Sequence, residues 1–190
     1  MQQSIPPDVA VVIPLPPDEE VRAIIGPTYD PDTALNVFKM FAGTQDLFPA
    51  VISFIKAVFT TKGIDPKARA IIVLRAATLY KARYEWEANA KFAENLGITQ
   101  AEIRAIAREN PVTNLDPAYV LVCAATDELS LAGALTDETL RRLLAQFGDT
   151  VTRKIILIIG WFNLLSIFVN GCRVPLETTD KIGAKRSPLE

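Results

Sequence analysis

The chain has 190 residues, 49% of them hydrophobic, which is the size and composition of one domain with a substantial core. Its formal net charge is −2 and its cations are scattered along the sequence, so we expect no nucleic-acid binding. It contains no histidine, which excludes nucleophile–histidine relays and removes the commonest general base and metal ligand. We therefore expect carboxylates, amides, phenols and cations to perform any chemistry, without a metal or cofactor.

The first 17 residues are predicted to form an extended arm, because five of the thirteen prolines lie between Ser4 and Pro17. The short apolar run in this arm has no basic start and is interrupted by Pro14, so it does not resemble an export signal. We expect a cytoplasmic protein in which Cys123 and Cys172 are free thiols, since no CxxC pair is present.

Beyond the arm, capping residues, helical apolar periods and glycine stops recur, and no alternating strand pattern is found. This pattern predicts an all-α, single-domain bundle of about eight or nine helices over residues 18–177, followed by a tail at 178–190. The predicted helices cover about 18–25, 33–42, 48–60, 65–81, 84–96, a stretch opened by Thr99 and Glu102, 118–130, 136–146 and 150–170.

The most apolar segment, residues 155–169, is shorter than the roughly 20 residues that a bilayer requires. Asn163 and Ser166 also interrupt it. We therefore expect a buried helix at a subunit contact and no membrane span.

The candidate site lies in the polar and aromatic segment 84–97. On a helix continuous with the preceding one, one face is shared by five residues, because each is three or four positions after the one before: Arg75, Thr78, Ala82, Glu85 and Asn89. If that face points inward, Glu85 has a raised pKa and exchanges protons near neutral pH. Arg75 would bind a substrate carboxylate or an enolate oxygen, and Asn89 would donate to the same oxygen.

The alternative is an ordinary exposed helix surface. Lys81 with Glu85, and Arg83 with Glu87, are spaced for i,i+4 surface ion pairs, and the aromatic residues between them would only pack. Asn163 belongs to the site only if it faces Glu85. The side chain of Glu85 decides between these alternatives by pointing inward or outward.

Several motifs together resemble one known family. They are IIVLRAA at 71–77, YEW at 84–86, Ala93, Gly97, Glu102 with Ile103, IGWFN at 159–163, Asn170 and VPLE at 174–177. Over roughly residues 30–177 the sequence resembles the carboxymuconolactone decarboxylase and alkylhydroperoxidase D-like family, in its longer branch without the redox cysteine pair. The resemblance implies an all-α fold that assembles as a dimer, trimer or hexamer, with the pocket near a subunit contact.

The sequence departs from this family at its reactive positions. Asn89 stands where the family usually has histidine, Ala82 and Glu85 occupy the two cysteine positions, and Ala70 replaces a glutamate of the proton relay. Hydroperoxide reduction by a dithiol is therefore excluded, because neither of the two reactive positions carries a thiol that could attack.

The resemblance leaves a cofactor-free lyase or isomerase acting on a small carboxylic acid, lactone or related cyclic carbonyl compound. Glu85 would move the proton, and Arg75 and Asn89 would hold the anionic oxygen. The side chains expected to bind the substrate are those of Tyr80, Tyr84, Trp86 and Asn163. One alternative is a family member that has lost catalysis and binds a ligand or supports an assembly; another is a designed or strongly altered sequence on this scaffold.

Overall fold

A computed structural model describes residues 11–190. Residues 1–10 of the predicted arm lie outside the described residues, and residues 11–17 have no regular secondary structure. The described chain contains helices and no strand, so the all-α prediction is confirmed. The elements are α1 (Asp18–Ile25), α2 (Asn36–Ala42), a short 3-10 helix (Gln45–Leu47), α3 (Phe48–Thr60), α4 (Pro66–Leu79), α5 (Arg83–Asn95), α6 (Gln100–Arg108), α7 (Pro117–Ala132) and α8 (Asp137–Cys172).

The helix starts follow local capping chemistry. The Asp65 carboxylate accepts a hydrogen bond from the backbone N–H of Lys67 at 3.0 Å, and Pro66 occupies the first turn of α4. Thr99 and Glu102 form the predicted capping box at the start of α6. These helix starts were predicted correctly, because a cap depends only on residues a few positions apart in the sequence.

Helix α4 is the centre of the bundle. It packs against α5, α6, α7 and α8, and every residue from 68 to 77 is buried. A helix buried on all sides must place its polar residues inside the fold as well. Two arginines, Arg69 and Arg75, are consequently 7% and 3% exposed.

The connection between α4 and α5 changes the geometry of the candidate site. Lys81 adopts a left-handed conformation with φ 54°, and α5 begins at Arg83 as a separate helix packed against α4. The prediction of one face shared by Arg75 and Glu85 is therefore wrong, because the turn at residues 80–82 resets the helical phase.

Helix α8 bends at Gly148, where φ is 73°, in agreement with two predicted helices at 136–146 and 150–170. Within residues 11–190 it is the one helix long and apolar enough to cross a membrane, judged by length and composition alone. Of its most apolar 18-residue window, 44% is buried inside the fold. The outward side carries exposed Leu157, Leu164 and Ile167.

The C-terminal tail lies on the protein's own helices. The Asn95 amide at the end of α5 donates to the carbonyls of Gly183 and Lys185 at 2.9 and 2.6 Å, and Ile182 is buried. Lys181 pairs with Glu177 at 3.0 Å. These contacts bring the end of the chain beside α5, the helix that carries Glu85.

Candidate functional site

Glu85 lies in the first turn of α5 and points into the protein. Its side chain belongs to the buried face of α5, together with Tyr84, Ala88 and Phe92, and the residue is 3% exposed. Of the two surface pairs in the alternative interpretation, Arg83 with Glu87 is present, at 2.7 Å. Glu85 is inside the fold, as the site hypothesis requires.

The environment of Glu85 favours its neutral form. None of the ion pairs among residues 11–190 includes this carboxyl group. Burial raises the pKa of Glu85 to about 8, and the smaller opposing effect is a hydrogen bond from Asn89. The Asn89 amide nitrogen donates to Glu85 Oε2 at 3.0 Å and to its backbone oxygen at 2.9 Å. Glu85 can therefore give or accept a proton near neutral pH.

Glu85 and Asn89 line a small pocket with a cavity volume of about 40 Å³. The walls are mostly apolar and include Phe41, Ile55, Phe59, Phe92, Trp161 and Phe162. Pro188 of the tail completes the lining. Such a pocket suits a small molecule with an apolar body and few polar groups.

The buried indole of Trp161 forms part of the pocket wall and carries an unpaired polar atom. The Trp161 N–H is sealed from solvent and has no hydrogen-bond acceptor among residues 11–190. Buried donors are almost always paired, so this unpaired N–H is an exception among the residues that line the pocket. The sequence analysis noted Trp161 only as part of a family motif and selected its neighbour Asn163 instead.

Arg75 does not reach this pocket. Its guanidinium forms a two-point pair with Asp127, at 2.5 and 2.8 Å, and donates to the carbonyls of Ile106 and Glu109 at 2.7 and 2.9 Å. These partners join α4 to α6 and α7. The proposed contact between Arg75 and a substrate anion is therefore not supported by its position, because the guanidinium already has a carboxylate and two carbonyls.

Tyr84 contributes part of its ring to the pocket, but its hydroxyl is engaged elsewhere. The hydroxyl accepts from the backbone N–H of Val37 at 3.1 Å and donates to Glu177 Oε1 at 2.5 Å. The same Glu177 oxygen accepts from the backbone N–H of Asn36 at 2.6 Å. Burial, followed by the bond to Glu177, raises the pKa of Tyr84 far above its usual value. Tyr84 thus holds the start of α2 and stays protonated.

The other predicted substrate-binding residues are not in the pocket lining. The Asn163 side-chain oxygen accepts from the Ser130 hydroxyl at 2.8 Å. Trp86 packs between the two apolar clusters of the core, and Tyr80 packs against the larger one. In residues 11–190, no group of three or more cysteine, aspartate or glutamate side chains is placed to hold a metal ion.

The carboxymuconolactone decarboxylase family model matches residues 45–128, which run from the 3-10 helix into α7 and include Glu85 and Asn89. No curated protein and no solved structure matches the chain. The predicted resemblance at 159–177 lies beyond the matched segment. Residues 45–128 are therefore similar to the carboxymuconolactone decarboxylase family.

Proposed function

We propose that this protein is a cofactor-free lyase or isomerase that transfers one proton at a carbon atom next to a carbonyl group of a small cyclic compound. The observation that carries the proposal is Glu85, a buried carboxyl with a pKa of about 8 in an apolar pocket. A group whose pKa lies near the working pH is effective both as an acid and as a base.

For a decarboxylation, the bond from the reacting carbon to the departing carboxylate breaks, and its electron pair moves into the neighbouring carbonyl to give an enolate. The Glu85 acid then protonates the carbon, carbon dioxide leaves, and Glu85 recovers a proton from water. For an isomerisation, the ionised Glu85 removes a proton from one carbon and returns it to another. The match of residues 45–128 to a family named for decarboxylation supports the first reaction.

Either reaction places negative charge on the carbonyl oxygen. We propose that the Trp161 N–H, which has no acceptor among residues 11–190, donates a hydrogen bond to that oxygen, a role predicted from the sequence for Arg75. Asn89 keeps Glu85 in position through its two hydrogen bonds. Preformed donors in a site without water stabilise such charge more strongly than water does.

Turnover of carboxymuconolactone and of small cyclic β-keto acids tests the proposal. Carbon dioxide release and deuterium incorporation from heavy water are followed by mass spectrometry and NMR. Glu85→Gln is expected to abolish turnover, whereas the matched control Glu87→Gln, in the exposed pair with Arg83, retains it. A Glu85→Gln variant with unchanged turnover rejects the assignment.

A ligand-binding protein without catalysis is the second candidate. Since the Tyr84 phenol is engaged with Val37 and Glu177, Glu85 is the one pocket-lining group in the described residues that titrates near neutral pH. A neutral carboxyl can also serve simply as a hydrogen-bond donor to a neutral ligand. Binding of the compounds above without carbon dioxide release or deuterium exchange identifies this function.

A homo-oligomer and a cytoplasmic location remain predictions. Exposed Leu157, Leu164 and Ile167 support self-association, because spacings of seven and three residues along α8 match the apolar seam of paired helices. Light scattering of the wild type and of Leu164→Glu measures the number of subunits in solution. An oligomer that the charge disrupts supports the prediction, and a monomeric wild type rejects it.

A further inference from the structure

The Glu85 pocket is too small for the compounds that the proposed function requires. Its cavity volume of about 40 Å³ corresponds to about three water molecules, at about 10–15 Å³ each. A six-membered ring such as benzene occupies a cavity of about 150 Å³. A cyclic carbonyl compound can therefore reach Glu85 only if part of the pocket wall moves.

One part of the pocket wall differs from the rest in its place in the fold. Most lining residues lie in helices α2, α3, α5 and α8, and Leu35 lies directly before α2. Pro188 instead belongs to the C-terminal tail and is half-buried. Moving a helix would break the close packing of the core, whereas moving Pro188 requires only a shift of the tail. The tail is therefore the part of the wall that can move.

The first part of the tail is anchored to the rest of the protein. Residues 181–185, which we call the anchor, are held by the ion pair of Lys181, the burial of Ile182 and the two hydrogen bonds from Asn95. The last of these contacts along the chain is the bond from the Asn95 amide to the carbonyl of Lys185, at 2.6 Å. A hinge in the tail is therefore possible directly after Lys185.

Residues 186–190, which we call the lid, have no such contacts. Their hydrogen bonds are internal, since the Arg186 N–H donates to the Glu190 carboxylate at 2.7 Å and the Leu189 N–H to the Ser187 hydroxyl at 3.3 Å. Within the described part of the chain, no hydrogen bond or ion pair joins the lid to a helix. A terminal segment that is held only by packing opens at a low free-energy cost. The lid can therefore leave the pocket while the anchor stays in place.

Charge does not hold the lid closed either. Arg186 of the lid lines a narrow cleft together with Arg69, and no acidic residue lines that cleft. The lid therefore gains no ion pair there by closing. What remains is the contact of Pro188 with the apolar pocket wall. An apolar molecule that enters the pocket covers the same wall, so the lid can be displaced without exposing that wall to water.

We propose that residues 186–190 are a lid that hinges after Lys185 and opens the Glu85 pocket to small apolar molecules. The kind of molecule that enters rests on the proposed function, but the opening itself does not. The alternative is a tail that only packs on the helices and detaches when the whole protein unfolds.

Limited digestion of the wild-type protein with trypsin measures the opening without any substitution. Trypsin cuts after lysine and arginine, and it acts on segments that have opened locally. In native buffer we expect cleavage after Lys185 or Arg186 at a rate that low urea concentrations change little, because a local opening exposes little surface. Lys181 is the control within the same tail, since it belongs to the anchor and its side chain is 10% exposed. Equal cleavage after Lys181, or cleavage after Lys185 and Arg186 only as the whole protein unfolds, overturns the proposal.

Acrylamide quenching of Trp161 fluorescence tests whether the lid covers the pocket. The measurement uses Trp86→Phe chains, in which Trp161 is the one remaining tryptophan. Pro188→Gly removes the ring from the pocket wall and is expected to raise the quenching rate several-fold. Leu189→Gly, the matched control at the next lid residue, which is 39% exposed, is expected to leave the rate unchanged. Unchanged quenching in Pro188→Gly overturns the proposal.

The digestion needs no variant, so it decides if Trp86→Phe does not fold. Failure of the lid is distinguishable from failure of the catalytic proposal, because digestion and quenching are measured without substrate and the catalytic proposal is measured by turnover in Glu85→Gln. A lid that opens in a protein without turnover supports the present proposal and rejects the lyase or isomerase.

Discussion

Replacing Glu85 with glutamine should stabilise the protein, and by an amount that grows with pH. The substitution keeps the size of the side chain and leaves an oxygen to accept the hydrogen bond from Asn89. It removes a group that must stay protonated in the folded state but loses its proton on unfolding. The glutamate therefore weakens folding wherever the unfolded chain has released that proton.

The magnitude follows from the pKa, which burial raises from 4.5 to about 8. Since the folded-state pKa is the higher one, the folded protein binds more protons between these values, and stability falls as pH rises. Each unit of pKa difference corresponds to about 1.4 kcal/mol. The advantage of Glu85→Gln is expected to be under about 1 kcal/mol at pH 5, about 3 kcal/mol at pH 7 and about 4 kcal/mol at pH 8.

Urea unfolding of the wild type and Glu85→Gln at pH 5, 6, 7 and 8 measures this difference directly. Glu87→Gln is the control, because Glu87 lies in the same turn and its side chain is 47% exposed. The difference in unfolding free energy between Glu87→Gln and the wild type should stay small and nearly constant from pH 5 to 8. A stability difference for Glu85→Gln that is independent of pH would refute a carboxyl buried away from water.

Three further predictions concern single side chains. Tyr84→Phe should lower the unfolding free energy by about 2–3 kcal/mol, since it leaves buried partners unsatisfied, whereas Tyr119→Phe, whose hydroxyl bonds at the surface, should cost under about 1 kcal/mol in urea unfolding. Arg75→Met should cost about 3 kcal/mol in the same assay, because the carboxylate of Asp127, 16% exposed, loses its counter-ion and two backbone carbonyls lose a donor; a loss below about 1 kcal/mol contradicts this. Asn89→Ala should raise the pKa of Glu85 above its value of about 8, measured by carbon NMR of the carboxyl, and a lower pKa contradicts the role of that hydrogen bond.

Local sequence signals predicted most of the fold. Asp65, Thr99 and Thr136 each cap the helix that they were expected to begin, and Gly148 interrupts α8 between the two predicted helices. These features depend on neighbours in the chain. The inward direction of Glu85 was one of two open alternatives, because an i,i+4 spacing of charges is equally compatible with an exposed face.

Features that depend on contacts between distant parts of the chain could not be predicted from the sequence in the same way. The left-handed residue between α4 and α5 is Lys81, which carries no glycine or asparagine signal for that conformation. The assumption of one continuous helix therefore placed Arg75 incorrectly on the same face as Glu85. The burial of Arg69 was not predicted, because a cation in the first turns of a helix ordinarily faces solvent. Its burial becomes visible only when α4 is enclosed by its neighbours.

The absence of histidine from the chain gives water exclusion a chemical role in the proposed proton transfer. An imidazole has a pKa of about 6.5 even in water, whereas the carboxyl of Glu85 reaches about 8 only because burial raises it. Any change that admits water to the apolar walls moves that pKa back toward 4.5 and leaves a weak base that no longer holds a proton at neutral pH. The aromatic walls and the tail residue Pro188 therefore help to keep Glu85 dry, and in the proposed proton transfer this packing would set the pKa of the acid.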